Sequence, residues 1–189
     1  MKLKIQSTKS RCKFLKSLNT NKTRGKYFEE KIVKEYRKYL SLSKLECYRS
    51  SSSGARTSLE ITGDVSFSEP LRYPIITECK YRISISLDDL FPSVNNEIEK
   101  WITQNKSQIE LFRKEFPDYN GKIYSSVIIG RPHQKVENYY TIITSQMNNI
   151  YGPPFHEKII SYSKKFGNIL ILNLENYLKF LKEGLKLYW

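Results

Sequence analysis

Helical and strand-like runs alternate along this chain, and that alternation predicts an α/β domain. Two stretches repeat apolar residues at helical spacing. The first, about Gly25 to Leu42, carries Ile32, Val33, Tyr36, Tyr39 and Leu40. The second, about Val94 to Glu115, carries Ile98, Trp101, Ile102, Asn105, Ile109 and Phe112 and stops at Phe116-Pro117. Short runs rich in β-branched and aromatic residues lie around them. Leu59–Phe67, Tyr73–Ile83, Ile123–Gly130 and Tyr139–Ser145 are the clearest. With 189 residues, the chain suits one domain with one sizeable core.

The elements follow in order. Residues 1–23 predict a basic N-terminal arm, residues 24–149 the core, and residues 150–189 a C-terminal strand–helix extension of the same domain. From Met1 to Phe28 there is no Asp or Glu, whereas Lys and Arg recur throughout. Such a run is either a solvated tail or an arm that grips phosphates, with Arg24 and Lys26 at its inner end. In the first helix Glu29 shares the inward face of Ile32 and Val33, while Glu30 turns towards solvent. A carboxylate on the buried face is explained by a metal or a bound water; an ordinary acid at a helix start is the alternative. Leu45–Arg49 predicts a strand. Ser50-Ser51-Ser52-Ser53-Gly54-Ala55-Arg56 then reads as a flexible loop, or as hydroxyls and amides beside Arg49 and Arg56 that contact phosphate.

Leu59–Phe67 and Tyr73–Ile83, joined through Glu69-Pro70, predict a central hairpin. Ser86–Leu90 predicts a capped helical turn before the second long helix. On that helix Gln104 and Gln108 stand one turn apart, as exposed polar positions or as hydrogen-bonders to a substrate or a lysine. Arg131-Pro132-His133 falls in a turn near the end of the sheet. Asn168–Leu174 predicts a further strand and Glu175–Leu187 an amphipathic helix.

The chemistry concentrates between Gly63 and Lys80. That stretch opens Gly-Asp-Val-Ser-Phe and closes Pro-Ile-Ile-Thr-Glu-Cys-Lys. Side chains alternate along a strand, so Glu78 and Lys80 share one face and Cys79 takes the other; Arg82 returns to the first. Carboxylates from Asp64 and Glu78 converging on one point can hold a hard cation such as Mg²⁺. A lysine beside them orients a water nucleophile or stabilises charge developing on a phosphate. The formal charge of +13 and sequence pI near 9.5 suit a phosphate-bearing partner.

Other classes fit poorly. No apolar run approaches the roughly 20 residues needed to span a membrane, and the first residues lack the apolar core of a secretory signal. The three cysteines, Cys12, Cys47 and Cys79, are odd in number and without CxxC spacing. His133 and His156 are the only histidines and stand at no ligand spacing. A disulfide framework and a structural zinc site are therefore unsupported, and a reducing, cytoplasmic setting is expected.

These motifs, in this order, resemble the PD-(D/E)XK nuclease superfamily, and within it the archaeal and viral Holliday-junction resolvases and their phage relatives. Arg24-Gly25-Lys26-Tyr27-Phe28-Glu29 resembles the opening Gly-x-x-x-Glu and selects Glu29. Arg49 through Ser53-Gly54 resembles an Arg-x-x-x-Ser-Gly loop, with Ser53 at the position of an assisting serine. Asp64 matches the central acid, Glu78 and Lys80 the Glu-x-Lys pair, and Trp101 and Gln104 a Trp-x-x-Gln pattern of phage members. The likeness covers about Arg24 to Ser145. Gly63 stands where the family usually has Pro, and the interval from Asp64 to Glu78 is longer than in compact resolvases.

The resemblance implies a restriction-endonuclease-like core, a central mixed sheet flanked by helices. It implies phosphodiester hydrolysis at Glu29, Ser53, Asp64, Glu78 and Lys80. Asp64, Glu78, the Cys79 carbonyl and, through water, Glu29 would bind Mg²⁺, with Mn²⁺ able to substitute. Arg24, Lys26, Arg49, Arg56, Arg82, Gln104 and Arg131 are the candidate DNA contacts. Branched DNA as substrate and a homodimer follow from the resolvase likeness. A nuclease of the same fold acting on other DNA, and a non-catalytic basic DNA-binding protein, are the alternatives.

Overall fold

The computed structural model describes residues 21–50, 63–86, 90, 96–132, 134–135, 138–144, 159–163 and 165–186. The order is α1 (Asn21–Leu40), β1 (Cys47–Arg49), β2 (Val65–Phe67), β3 (Ile75–Tyr81), α2 (Asn96–Glu115), β4 (Tyr124–Gly130), β5 (Tyr140–Thr144), β6 (Ile159–Ser163), β7 (Gly167–Asn173) and α3 (Leu174–Lys186). A mixed sheet in the order β3-β4-β5-β7-β6 forms the centre, and β1 and β2 form a separate antiparallel ribbon. Within the sheet β3 and β4 run parallel and the other pairs antiparallel. This is the expected α/β architecture with a restriction-endonuclease-like core.

The sheet is buried on both faces. On one side α1 and α3 bring Phe28, Ile32, Val33, Tyr36, Tyr177 and Leu181 against Ile75 and Cys79. On the other side α2 lays Ile98, Trp101, Ile102, Ile109 and Phe112 over Ile76, Val127 and Ile129. Each large side chain so buried contributes roughly 1.5–3 kcal/mol. Asn105, on the same inward stripe, is fully buried and its Nδ2 donates to the Ser126 carbonyl at 3.3 Å. On α1, Glu29 lies on the buried face and Glu30 is exposed, as the helical phase predicts. Ser41 ends α1 with a left-handed φ of 58°, and the Leu42 amide returns to the Arg37 carbonyl.

Three points differ from the expectations. First, the described part of α1 already starts at Asn21, four residues before the expected start at Gly25, since a single interior glycine costs a helix only about 1 kcal/mol.

Second, β2 and β3 do not form a hairpin. β2 pairs with β1, and only an isolated parallel bridge, Gly63 to Thr77, ties this segment to β3. The amides of Arg72 and Tyr73 both return to the Glu69 carbonyl, so the chain coils between the two strands and makes no tight reversal. The apolar run of β3 is instead met by parallel β4, as suits a strand covered by helices on both faces.

Third, a strand at Ile159–Ser163 went unpredicted; it pairs with β7 at the far edge of the sheet. The expected C-terminal strand forms as β7 and lies between β5 and β6. No helix among the described residues is long and apolar enough to cross a membrane.

Candidate metal centre

β3 is the outer strand of the main sheet at this side, and its open edge carries the acids. The Asp64 amide donates to the Thr77 carbonyl at 2.8 Å, and Asp64 Oδ2 accepts from the Cys79 amide at 2.7 Å. These two bonds clamp Asp64 against the strand. The N–H and C=O of one strand residue point to the same side, so the Cys79 carbonyl also faces this edge. Its thiol lies in the dry core on the α1 side, where burial pushes it well above its ordinary range.

Gly63 explains one departure from the family pattern. Its φ is 81°, which the ring of proline cannot reach, and a Cβ there would stand 2.3 Å from the Thr77 carbonyl oxygen. The tight approach of chain 63–64 to β3 needs glycine. Ser50 secures the same junction: its amide donates to the Asp64 carbonyl at 3.1 Å, and its hydroxyl lies 2.6 Å from the Gly63 carbonyl and from the Ser66 hydroxyl. The first serine of the run is thus a structural tie.

Glu78 projects from β3 towards α2 and is almost fully buried, at 2% exposure. Its Oε1 accepts from Lys80 Nζ at 2.5 Å and from Gln104 Nε2 at 2.8 Å, and its Oε2 from Gln108 Nε2 at 3.0 Å. Lys80 Nζ also reaches Gln104 Oε1 at 3.2 Å. Gln104 therefore meets the carboxylate and the lysine. Gln108, weighed in the sequence but left out of the predicted site, holds the other oxygen of Glu78. The signal was present, since residues four apart share a helix face.

The acids feel one another. Burial first, and then the Glu78 charge, push the Asp64 carboxyl up to about 7; the Glu29 charge adds to this, while the Cys79 amide and Lys80 oppose it. Glu29 approaches from α1 and is tied to Arg49 Nη1 at 3.3 Å. Arg49 also meets Glu30 at 3.6 Å and the Ser50 carbonyl at 3.2 Å, so its guanidinium neutralises acids.

The other predicted contacts are spread out. Arg82 follows β3, reaches Glu97 at 3.2 Å and stacks on Trp101 at 4.6 Å. Arg131 follows β4 and donates to the Ile85 carbonyl at 3.1 Å; with Ile83 and Gln134 it lines an open recess of about 590 Å³. Arg24 and Lys26 lie on the first turns of α1, Lys26 exposed. Ser53 and Arg56 lie outside the described residues.

The donor set suits a hard divalent cation. Among the described residues no group of three His, Cys, Asp or Glu side chains is arranged to hold an ion. Two carboxylates and a backbone carbonyl would hold such an ion with room for water ligands, a donor set that suits Mg²⁺. A buried acid with a raised pKa beside a second carboxylate is also a place where a cation relieves repulsion.

No curated protein and no solved structure matches this chain. A family model matches residues 20–116, about half of its length, from the start of α1 to the end of α2. The matched span holds Glu29, Asp64, Glu78, Lys80 and both glutamines, and on that match the chain belongs to the Phage putative PDDEXK endonuclease family, within the PD-(D/E)XK nucleases.

Proposed function

We propose that this nuclease is a metal-dependent DNA endonuclease that hydrolyses phosphodiester bonds at the edge of β3, with Mg²⁺ as its ion and Mn²⁺ able to substitute. The observation that carries the reading is the meeting of Asp64 and Glu78 at that edge, with Lys80 bonded to Glu78. Asp64, Glu78 and the Cys79 carbonyl hold the ion, and Glu29 adds negative charge from α1 through water. The bound ion supplies a Lewis acid that polarises a phosphoryl oxygen and acidifies a water.

Lys80 places its ammonium beside that centre, where it orients the attacking water or stabilises charge on the phosphate. Gln104 and Gln108 fix the Glu78 carboxylate from α2, so its position is set before substrate arrives. Ser53 contacts the scissile phosphate or its neighbour, a role that rests on the Arg-x-x-x-Ser-Gly likeness alone. Arg24, Lys26, Arg82 and Arg131 supply backbone contacts. Arg49 reaches phosphate by exchanging it for Glu29, and Arg56 adds a further contact.

The substrate we propose is a four-way DNA junction cut by a homodimer within the cytoplasm. The resolvase-like motifs support this reading, and a twofold protein suits two paired incisions. The test is a panel of four-way junction, flap, duplex and single strand, each with and without Mg²⁺. The expected result is metal-dependent cutting with junction preferred, abolished in Asp64→Ala and Glu78→Ala while DNA binding persists. Cutting that needs no metal, or survives in both variants, overturns the metal centre. Preference for another member of the panel overturns the junction and leaves the nuclease.

A further inference from the structure

The second turn of α1 and the ends of β3 and β4 enclose a recess lined by Tyr27, Lys31, Tyr81, Arg131, Pro132 and Gln134. It holds about 80 Å³, more than one water needs and far less than a drug-sized ligand. Its floor is aromatic. The Phe28 ring lies 5.7 Å from that of Tyr81 and 5.2 Å from that of Tyr139. A Cβ at Gly130 would collide with the Phe28 ring, so glycine there lets the floor pack flat against β4. Tyr27 forms the rim and is 45% exposed.

Rings and cations meet here. Lys31 Nζ stands 4.8 Å from the Tyr27 ring centroid, and Arg131 Nη1 donates to the Ile85 carbonyl at 3.1 Å. Ring and carbonyl are both neutral, and the planar guanidinium of Arg131 has further N–H groups to offer. Aromatic surface beside basic side chains is the combination that takes a base by stacking and its backbone by charge. The volume limits the occupant to a single planar group.

The placement ties the recess to the acids. Tyr81 follows Lys80 on β3, and Phe28 precedes Glu29 on α1. Glu78 and Tyr81 are three residues apart on one strand, about 10 Å. That is the length of roughly three nucleotides of a DNA strand. We propose that this recess takes one unstacked base of the DNA substrate, a few nucleotides from the scissile phosphate. Tyr27 and Tyr81 stack on the base, and Lys31 and Arg131 meet its backbone. An unpaired base costs least to unstack, so the recess favours DNA with such a base near the cut. The proposal rests on the nuclease reading for the identity of the partner, and its test does not depend on cleavage.

Binding of the full chain is measured in chelator, at fixed salt, to two short duplexes that differ at one bulged position. One carries an extra adenine there and the other an abasic spacer, so the backbones match. The wild type is expected to prefer the adenine form about tenfold, the scale of one stacked base. Tyr27→Ala should bring that ratio close to one, while Tyr27→Phe, which keeps the ring, should retain it. Arg131→Gln should weaken both duplexes alike, since a backbone contact does not read the base. Tyr48→Ala is the control: Tyr48 is 41% exposed on β1, outside the recess, and its loss should leave the ratio unchanged.

Thermal unfolding of each variant reports whether the fold is intact, and Tyr27 at the exposed rim should be replaceable without loss of Tm. Equal affinity of the wild type for the two duplexes overturns the site. So does a ratio that persists in Tyr27→Ala or falls equally in Tyr48→Ala. Free deoxyadenosine monophosphate that binds the wild type more tightly than the adenine duplex, and not Tyr27→Ala, identifies a free-nucleotide site and overturns the substrate assignment. A wild type that shows the ratio but cuts no DNA in Mg²⁺ refutes the nuclease reading and leaves the recess standing. One that cuts without showing the ratio refutes the recess alone.

Discussion

The two faces of β3 are built on opposite principles. Towards α1 the strand presents Ile75, Thr77 and Cys79, packed among aromatic rings, with the Thr77 hydroxyl 2.6 Å from the Tyr36 hydroxyl. Towards α2 it presents Ile76, Glu78 and Lys80, and the helix answers with Gln104 and Gln108. One face fixes the strand by close packing, while the other holds charge in place with neutral amide donors. Amides can do this without competing for a cation, whereas an arginine at either position would neutralise Glu78 outright. The charge on the second face is aimed because the first face is closely packed.

The comparison yields predictions in descending order of effect. Lys80→Ala should lower the rate of DNA cleavage by about 10² while the protein stays folded. Arg82→Ala, which removes the same charge from a group paired with Glu97 and stacked on Trp101, should matter much less. Equal losses would reduce the charged face to general electrostatics. Gln108→Ala should lower Mg²⁺ affinity or rate by about tenfold, the scale of a lost outer partner to a ligand. A Mg²⁺ titration of cleavage at saturating DNA checks this, and an unchanged curve would show that Glu78 needs no support from α2.

The pH dependence of stability follows from Asp64. Its folded pKa, about 7, lies above the ordinary value of 3.8, so the folded state holds the proton where the unfolded state has released it. Stability of the ion-free protein should therefore fall as pH rises from about 4 to about 7, and Asp64→Asn should flatten that decline. At the proposed centre Mg²⁺ would bind the ionised form, so the rise in Tm on adding Mg²⁺ should grow across the same window. Melting curves with and without the ion decide it. The smallest effect belongs to the dry face: Cys79→Ala should cost about 1 kcal/mol of stability and leave the rate unchanged, since only its main chain meets the site.

Much of this was legible from residue order. The stripe Ile98–Phe112 appears intact on the inner side of α2 because a long helix shows its period many times over. Asp64, Glu78 and Lys80 were legible because the alternation of a strand needs only two residues to assign a face. Strand partners were less so. β3 reads as one arm of a hairpin by proximity, yet its true neighbour is β4, some fifty residues on, and nothing local encodes that choice. β6 escaped because five residues with two serines carry little pattern. For Arg49 the sequence shows the charge but not its pairing with Glu29 and Glu30, which only the fold brings against it. Gly63 was legible as a departure from the family's usual proline, but the approach to Thr77 that demands glycine was not.

The interior position of β7 has a consequence for how the protein comes to exist. β7 is made after β5 and β6 yet lies between them, and α3 follows it to cover the aromatic side of α1. The sheet therefore cannot be completed while its final residues are still being synthesised. Pairings of such long sequence separation form slowly, because the chain must close large loops before it gains their contacts. Throughout that interval the nascent polypeptide already holds Asp64, Glu78 and Lys80, but its first helix still lacks the packing of α3 against Tyr36. Cutting competence should wait until β7 has docked on the free edge of β5, carrying β6 with it as the rim of the sheet.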